Sequence, residues 1–390
     1  MAGKVLKCLA LLVALLPFKA RAQEVYVGGA ANFMTSTPAI TTLVLEPRRF
    51  ASFDVGISWK TADCDISDVY AAPRLGVGFS YAGMGSCATV PGSRAGDAYS
   101  LYGFLKGDLL SLGAFSAGYQ AQIGASLMTH PYHKTDNPDN LLYGGPFTFL
   151  ANGGVFARVQ ITNAWSVGLD VTFKHYSACR WFIPNRGVNA VCVGLNTGYS
   201  FGNSTVSPGG RRSSDPALKV NAPWRVAFFA GGGIHKCMAE FYADRLLPAE
   251  ERQDAYTPWF KGSAGVEAVW RYCRLTSTGI QLELHYLGNM SVLPGCDEAL
   301  HGKKADTYCA WAPGVGLAQE LYAGPFSVGM GIGAYLYRQV GIQEYHSPLY
   351  QKITLRYYPP VLKSLFFGVA VRMHTFNQAD YLEFSIGKII

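Results

Sequence analysis

The segment WSVGLDVTFKHYSACRWFIPNRGVNAVCVGLNTGYSF, residues 165–201, contains the pattern that decides the fold. From Trp165 to Phe173 every second residue is apolar, and the residues between them are small or polar. Alternation with a period of two is typical of a β-strand that has one apolar and one polar face. A similar alternation returns from Asn189 to Phe201. The segment therefore predicts two strands and a connecting loop, at 165–177, 188–202 and 178–187.

Three polar residues interrupt the apolar face of this hairpin. Continuing the alternation places His175, Ser177 and Asn189 on that face, and an antiparallel register puts His175 opposite Asn189. A hydroxyl, an imidazole and an amide in one patch are the parts of a serine hydrolase, namely a nucleophile, a base and an orienting group. The His-x-Ser spacing is a weak motif, and taken alone it favours simple contact with lipid headgroups at the end of a strand.

The same residues resemble the active-site hairpin of the PagL family. These are outer-membrane lipid A 3-O-deacylases, and the larger relatives are often described as acyloxyacyl hydrolases. The family pattern is His-x-Ser, a loop with Pro-Asn-x-Gly, and a strand ending in Gly-Tyr-x-Phe. It is matched by His175 to Ser177, Pro184 to Gly187, and Gly198 to Phe201. The resemblance extends back through Asn137 to Asn140 and covers about the first half of the mature chain, whereas the second half resembles only the less defined tails of the larger relatives.

The resemblance implies catalytic roles for the three polar residues. Ser177 is expected to be the nucleophile and His175 the general base. Asn189 stands where the family has a Glu, and a neutral amide orients the imidazole but stabilises the imidazolium less than a carboxylate does. The implied substrate is lipid A of lipopolysaccharide, met in outer-membrane lipid.

The loop after Ser177 departs from the family at one position. Ala178 replaces an Asn that helps to form the oxyanion hole, and losing one such donor typically costs about a hundredfold or more in rate. A backbone N–H or Asn185 is the expected substitute, and Gly187 completes the supporting loop. Without such a donor, the alternative is a non-catalytic outer-membrane barrel, porin-like or structural, that retains the hairpin.

The N-terminus predicts export. Lys4 and Lys7 precede an apolar run from Leu9 to Leu16, and Ala20 to Ala22 forms a small-x-small cleavage site. Residues 1–22 are therefore predicted to be a secretory signal peptide that is cleaved between Ala22 and Gln23. No later stretch approaches the ~20 apolar residues of a transmembrane helix. The expected location is the bacterial outer membrane.

Composition and motifs argue against several other functions. The formal net charge is +7, and four of the basic residues lie in the signal peptide, so only three net positive charges remain and nucleic-acid binding is not expected. A Gly-rich phosphate loop and a Cys-x-x-Cys spacing are both missing from the sequence. His130 and His133 have a metal-like spacing without an identifiable third ligand. We therefore assign neither a cofactor nor a metal, and no oligomeric state is predicted.

Alternating segments of roughly ten residues recur along the mature chain, which is the signature of a transmembrane β-barrel. A stretch at 203–222, rich in Ser, Pro, Gly and Arg, reads as a linker or long turn between two halves. Strands are predicted in the first half at 24–33, 49–59, 73–82, 98–107, 113–127, 147–160, 165–177 and 188–202. Eight or fewer are predicted in the second half, at 223–235, 259–273, 277–289, 309–322, 325–339, 348–358, 364–375 and 379–390.

Short and long connections alternate in the first half. The short ones are predicted at Lys106 to Ser111 and at Thr162 to Ala164. Outer-membrane barrels have short periplasmic turns, and a periplasmic N-terminus directs odd-numbered strands outward. The seventh strand is therefore expected to deliver His175 and Ser177 to the extracellular end, where lipopolysaccharide resides.

Two all-β, antiparallel architectures fit these strands. One is a single barrel of about 14 to 16 strands. The other is an eight-stranded PagL-like barrel at 23–202 with a second β domain at 223–390. A single closed sheet leaves no unpaired edge in lipid and does not require the second half to close separately. The sequence slightly favours the single barrel.

The mature chain contains eight of the nine cysteines, an even number in an oxidising compartment, so disulfides are plausible. Cys179 and Cys192 flank the proposed active loop, and Cys296 and Cys309 flank another loop. Each pair is in position to staple its own hairpin, although the alternation turns Cys192 inward. A structural or inert role is expected for Cys179 rather than nucleophilic chemistry.

Overall fold

The structure is a computed structural model that describes residues 23–390 apart from 37–43, 61–69, 71–72, 88–92, 202–219, 222, 345–346, 363 and 376–377. The predicted signal peptide and nearly all of the predicted linker lie outside the described residues.

Two closed antiparallel barrels, each of eight strands, make up the described part of the chain. The strands of the first barrel are β1 (Gln23–Ser36), β2 (Val44–Lys60), β3 (Arg74–Gly83), β4 (Asp97–Leu112), β5 (Phe115–Met128), β6 (Phe147–Gln160), β7 (Trp165–Ser177) and β8 (Val188–Ser200). Those of the second barrel are β9 (Trp224–Lys236), β10 (Pro258–Cys273), β11 (Thr276–Leu287), β12 (Trp311–Ala323), β13 (Phe326–Tyr335), β14 (Leu349–Tyr357), β15 (Leu365–His374) and β16 (Gln378–Ile389).

The all-β barrel class is confirmed, in the two-barrel form that was the alternative. The favoured single barrel of 14–16 strands is wrong, because β8 pairs with β1 and β16 pairs with β9. Each half thus satisfies its own edge strands, and a barrel without edges is what a lipid environment requires. The short connection predicted at Lys106 to Ser111 is also wrong. β4 continues to Leu112, and the turn falls at Gly113, whose φ of +60° suits a glycine.

Side chains alternate across the barrel wall as a transmembrane barrel requires. Along β7, Val167, Leu169 and Val171 are exposed on the outer face, whereas Thr172 and Lys174 are buried in the lumen. Apolar side chains outside and polar side chains inside are the arrangement of an outer-membrane barrel. Among the described helices, none is long and apolar enough to cross a membrane.

Paired polar side chains occupy both lumens. In the first barrel, the Arg158 guanidinium lies 3.2 Å from Glu24 and 3.5 Å from Asp108. In the second, Arg356 and Arg372 each bridge two buried glutamates. Buried charges need such partners. Lumens occupied in this way differ from the water-filled lumen of a porin.

Short helices, which the sequence pattern did not reveal, lie between strands of the second barrel. They are α1 (Met238–Asp244), α2 (Leu293–His301) and the single 3-10 turns Ala249–Glu251 and Gly288–Ser291, with a further 3-10 turn at Gly85–Cys87 in the first barrel. Phe241 of α1 packs with Ile183 from the loop between β7 and β8. The second barrel therefore contacts the loop that follows Ser177.

The two hairpin disulfides that the cysteine positions allowed do not form. Cys179, Cys192, Cys296 and Cys309 are free thiols. Cys192 is buried on the inward parity of β8, whereas Cys179 lies in the loop beyond the outward-facing Ser177. Cys296 is buried on α2, and the Cys309 thiol instead donates to the Trp311 carbonyl at 3.3 Å.

Candidate functional site

The register of β7 and β8 brings the imidazole and the amide together as the sequence predicts. His175 is paired with Asn189, and the His175 Nδ1 and Asn189 Oδ1 atoms are 2.6 Å apart. Because the amide oxygen accepts, the proton lies on Nδ1 and leaves the lone pair on Nε2, the nitrogen that a general base uses. Both residues have the outward parity of their strands, so the pair faces away from the lumen.

The Ser177 hydroxyl lies one pair closer to the loop and is held by Asn185. Asn185 Nδ2 donates to Ser177 Oγ at 3.1 Å, and the Cys179 backbone N–H donates to the same oxygen at 3.2 Å. Asn185 Oδ1 also accepts the Ala178 N–H at 2.8 Å, which fixes the start of the loop. Two donors therefore converge on the hydroxyl, and Asn185 is one of them.

Ser177 and His175 are neighbours on the same face but are not hydrogen-bonded to each other among the described residues. The hydroxyl donates to Asn185 Oδ1 at 3.4 Å instead. Proton transfer to His175 requires the hydroxyl to exchange this weak bond for one to the imidazole. Hydrogen bonds of this kind commonly tighten only when a substrate is bound.

Two consecutive residues of the loop adopt the left-handed backbone conformation. Cys179 has a φ of 48° and Arg180 a φ of 59°. This conformation costs roughly 1–2 kcal/mol for a residue with a Cβ, so contacts elsewhere must hold both residues in place. Gly187, at φ 71°, closes the loop where a Cβ atom would lie 2.6 Å from the Tyr176 carbonyl oxygen and 3.3 Å from the His175 ring. Only glycine fits there without shifting the Tyr176 backbone.

The neighbouring loop between β5 and β6 braces this one. The backbone N–H groups of Arg186 and Gly187 donate to the Leu141 and Leu142 carbonyls at 3.1 and 2.8 Å. Asn137, in the segment that carries the family resemblance, donates to the Arg94 and His130 carbonyls at 2.8 and 3.1 Å. The side chain of Asn137 thus serves as a scaffold for the bracing loop.

An aromatic surface lies beside Ser177 on the outer wall. Phe149 is paired with Ser177 across β6 and β7. Trp181 stacks on Phe147 with ring centroids 6.4 Å apart and meets Phe149 edge-on at 5.2 Å. These three rings offer apolar contact next to the hydroxyl. Both phenylalanines lie in the strand predicted at 147–160, but nothing in the sequence placed Trp181 over them.

Cys179 is a poor nucleophile in this environment. Burial raises the pKa of its thiol to about 12, and the bond with Ser177 offsets this only in part. The thiol is therefore protonated at neutral pH, and a thiolate is the reactive form. In the described ranges, no cluster of three or more His, Cys, Asp or Glu side chains is arranged to hold a metal ion.

A comparison with known protein families finds a match to the second barrel and not to the first. Residues 224–388 match the family model described as "Acyloxyacyl hydrolase, C-terminal domain". The second barrel resembles an acyloxyacyl hydrolase domain. This match covers less than half of the chain and does not include the residues of the candidate site. It supports the relation to PagL-like acyloxyacyl hydrolases that the β7–β8 hairpin indicates, while the acyloxyacyl hydrolase chemistry itself stays a proposal. No curated protein matches the chain.

Solved structures of outer-membrane barrels show only distant similarity. The outer-membrane enzyme PagL is 16% identical, with a TM-score of 0.29, over 44% of this chain and 97% of PagL. Neisserial surface protein A is 13% identical, with a TM-score of 0.29, over 46% of this chain and 97% of that protein. The N-terminal barrel of Pseudomonas aeruginosa OprF is 11% identical, with a TM-score of 0.26, over 47% and 98%. Similarities this low carry no argument about function.

Proposed function

We propose that the protein is an outer-membrane ester hydrolase that removes an acyl chain from lipid A. Ser177 is the nucleophile, His175 the general base and Asn189 the group that orients the imidazole. The observation that carries the proposal is the 2.6 Å hydrogen bond between His175 and Asn189, formed on the outer face directly beside Ser177. A barrel with a purely structural role would not require an oriented imidazole on its lipid-facing surface.

The chemistry follows from the positions of these groups. The Ser177 proton moves to His175 Nε2 as Oγ attacks the ester carbonyl carbon, and the carbonyl oxygen becomes an oxyanion. The Cys179 N–H and Asn185 Nδ2 donate to Oγ, and they are the donors that we assign to that charge. Collapse breaks the ester bond, and His175 returns the proton to the departing alcohol oxygen of lipid A. Water then hydrolyses the acyl-serine and releases a fatty acid.

The lipid-facing position suits a lipid substrate. An acyl chain of lipid A in the same leaflet lies against the outer wall, where Phe147, Phe149 and Trp181 provide apolar contact. Lateral diffusion then replaces capture in a deep pocket. Asn185 compensates for Ala178, because its amide reaches the serine from the opposite end of the loop.

The proposal is tested by the lipid A of cells that express the protein in their outer membrane. We expect mass spectra to show loss of one acyl mass with the wild type and fully acylated lipid A with Ser177→Ala. Ser166→Ala is a matched control, because it removes a serine hydroxyl from the lumen face of the same strand. Fully acylated lipid A with correctly folded wild-type protein would count against the hydrolase.

A non-catalytic barrel is the second candidate, and one observation favours it. The Ser177 hydroxyl donates to Asn185 and not to His175. Labelling with a fluorophosphonate probe separates the two functions, since the probe reacts covalently only with an activated serine. Stoichiometric labelling that Ser177→Ala abolishes supports the hydrolase, whereas an unlabelled, folded wild type supports the structural barrel.

A further inference from the structure

The loop that follows Ser177 reaches into the mouth of the second barrel through Arg180. The Arg180 side chain is only 12% exposed, and its guanidinium lies 3.7 Å from Glu344 and 3.7 Å from Asp380. Both carboxylates belong to the second barrel, where Glu344 lies in the connection between β13 and β14 and Asp380 in β16. An arginine of the first barrel is therefore enclosed by acids of the second.

The charges at this contact are balanced. Lys261 donates to Asp380 at 2.8 Å, so two cations and two carboxylates share one buried site. Burial by itself raises the pKa of the Glu344 carboxyl, but the attraction of Arg180 and Lys261 outweighs it and lowers that pKa to about 2. Without Arg180 the site would hold an uncompensated buried charge, which proteins avoid.

The backbone and the next residues of the loop also contact the second barrel. The Lys236 N–H donates to the Arg180 carbonyl at 2.8 Å. The Lys236 ammonium lies 5.5 Å from the centre of the Phe182 ring, and Ile183 packs in a cluster with Phe241. The stretch from Arg180 to Ile183 is thus held at three successive points.

This contact is one residue away from the candidate active site. Arg180 directly follows Cys179, and the Cys179 N–H donates to Ser177 Oγ at 3.2 Å. Cys179 and Arg180 both have the left-handed φ that needs outside support. The direction of the Cys179 N–H therefore depends on where Arg180 is anchored.

We propose that the second barrel is a positioning element for the active site, and that Arg180, held between Glu344 and Asp380, sets the Cys179 N–H against Ser177. The inference rests on the proposed function, because it assigns a purpose to the second barrel in the same reaction. Arg180 is a positioning residue that acts through Cys179 and makes no contact with the ester.

The test uses the full-length protein in micelles with two readouts. Deuterium uptake of residues 178–187 reports docking of the loop. The maximal rate of fluorophosphonate labelling, together with the probe concentration that gives half of it, reports the reactivity of Ser177. The variants are Arg180→Met, Arg180→Lys and Glu344→Gln, and Arg186→Met is the matched control because Arg186 is an exposed arginine of the same loop.

We expect Arg180→Met and Glu344→Gln to increase uptake and to lower the maximal labelling rate about tenfold or more, with the half-maximal probe concentration nearly unchanged. Arg180→Lys should restore most of the rate, and Arg186→Met should change neither readout. Heat-modified migration on gels confirms that each variant has folded. Glu344→Gln, which keeps the shape of the side chain, remains informative if Arg180→Met does not fold.

Two outcomes overturn the proposal. Unchanged uptake in Glu344→Gln shows that this contact does not hold the loop, and increased uptake with an unchanged labelling rate shows that it holds the loop without positioning Ser177. A wild type that is not labelled removes the proposed function and with it the positioning role. Uptake in Glu344→Gln then still decides whether the second barrel docks the loop.

Discussion

Asn189 occupies the position where a carboxylate would best stabilise a protonated His175. An amide fixes the tautomer through its oxygen but adds no charge. We expect Asn189→Asp, which preserves the size of the side chain, to raise the maximal rate of Ser177 labelling by about tenfold, as expected for ~1.4 kcal/mol of added stabilisation. Asn189→Leu is the matched control that removes the hydrogen bond, and it should lower the rate. A faster Leu variant, or a slower Asp variant with a normal fold, would contradict the orienting role.

At the residue scale, the sequence predicted the members of the site but not their exact contacts. Alternation and register placed His175 opposite Asn189 because both follow from the two-residue period of paired strands. The loop has no such period. Asn185 was already expected as a donor near Ser177, and it contacts the hydroxyl. That Cys179 and Arg180 would take left-handed conformations depends on contacts with other segments, which a local pattern does not encode.

Among the elements, the connection between β13 and β14 is expected to make loop docking pH-dependent through Glu344. The pKa of this carboxyl is about 2 in the folded protein and 4.5 when unperturbed. The charged form is therefore the one that the folded state favours, and its stabilisation is present above pH 4.5 and is lost as pH falls towards 2. The groups that face Glu344 are Arg180, His235, Cys237, Lys261 and Asp380.

The measurement is deuterium uptake of residues 178–187 in the pH interval from 5 down to 3, corrected for the intrinsic pH dependence of exchange. We expect uptake to rise on acidification in the wild type and to be high and nearly flat in Glu344→Gln. An equal pH response in both proteins would show that another of the facing groups is responsible.

Strands were far more predictable than the connections that carry the contacts. Each of the sixteen predicted strands corresponds to an observed strand, although β2 and β4 are each six residues longer than predicted. The strands were predictable because each one has an apolar outer face that lipid demands along its length. Helix α1 escaped detection because it has only seven residues, too few to show a helical period, and it is stabilised by packing of Phe241 with Ile183 and Tyr256.

For the whole molecule, the sequence left open which strand closes each sheet. A strand such as β8 has the same alternating faces whether its partner is β1 or β9. The pattern that predicts the strand therefore does not predict its partner. Long-range contacts decide which strands close each barrel, namely the eleven residue pairs between β1 and β8 and the pairing of β16 with β9. The preference for a single barrel rested on an argument about free edges that two closed barrels satisfy equally well.

Separate closure predicts that the two barrels unfold as separable units. Arg356 lies between Glu267 and Glu320 at 2.9 and 2.8 Å in the second lumen, and removing one member of such a buried network costs roughly 3–5 kcal/mol. We expect Arg356→Met to lower the unfolding temperature of the second barrel alone, splitting the calorimetric transition in two. Lys304→Met is the control, since its exposed pair with Glu298 contributes only about 0–1 kcal/mol.

Proteolysis during heating would identify which barrel opens first, because peptides from 224–389 should appear before those from 23–200. A single transition that shifts as a whole would contradict independent unfolding. In that case, contacts such as Arg180 with Glu344 would couple the unfolding of the two barrels as tightly as shared strands do. A substitution in the second lumen would then inactivate Ser177 by unfolding the first barrel, and not by displacing the loop.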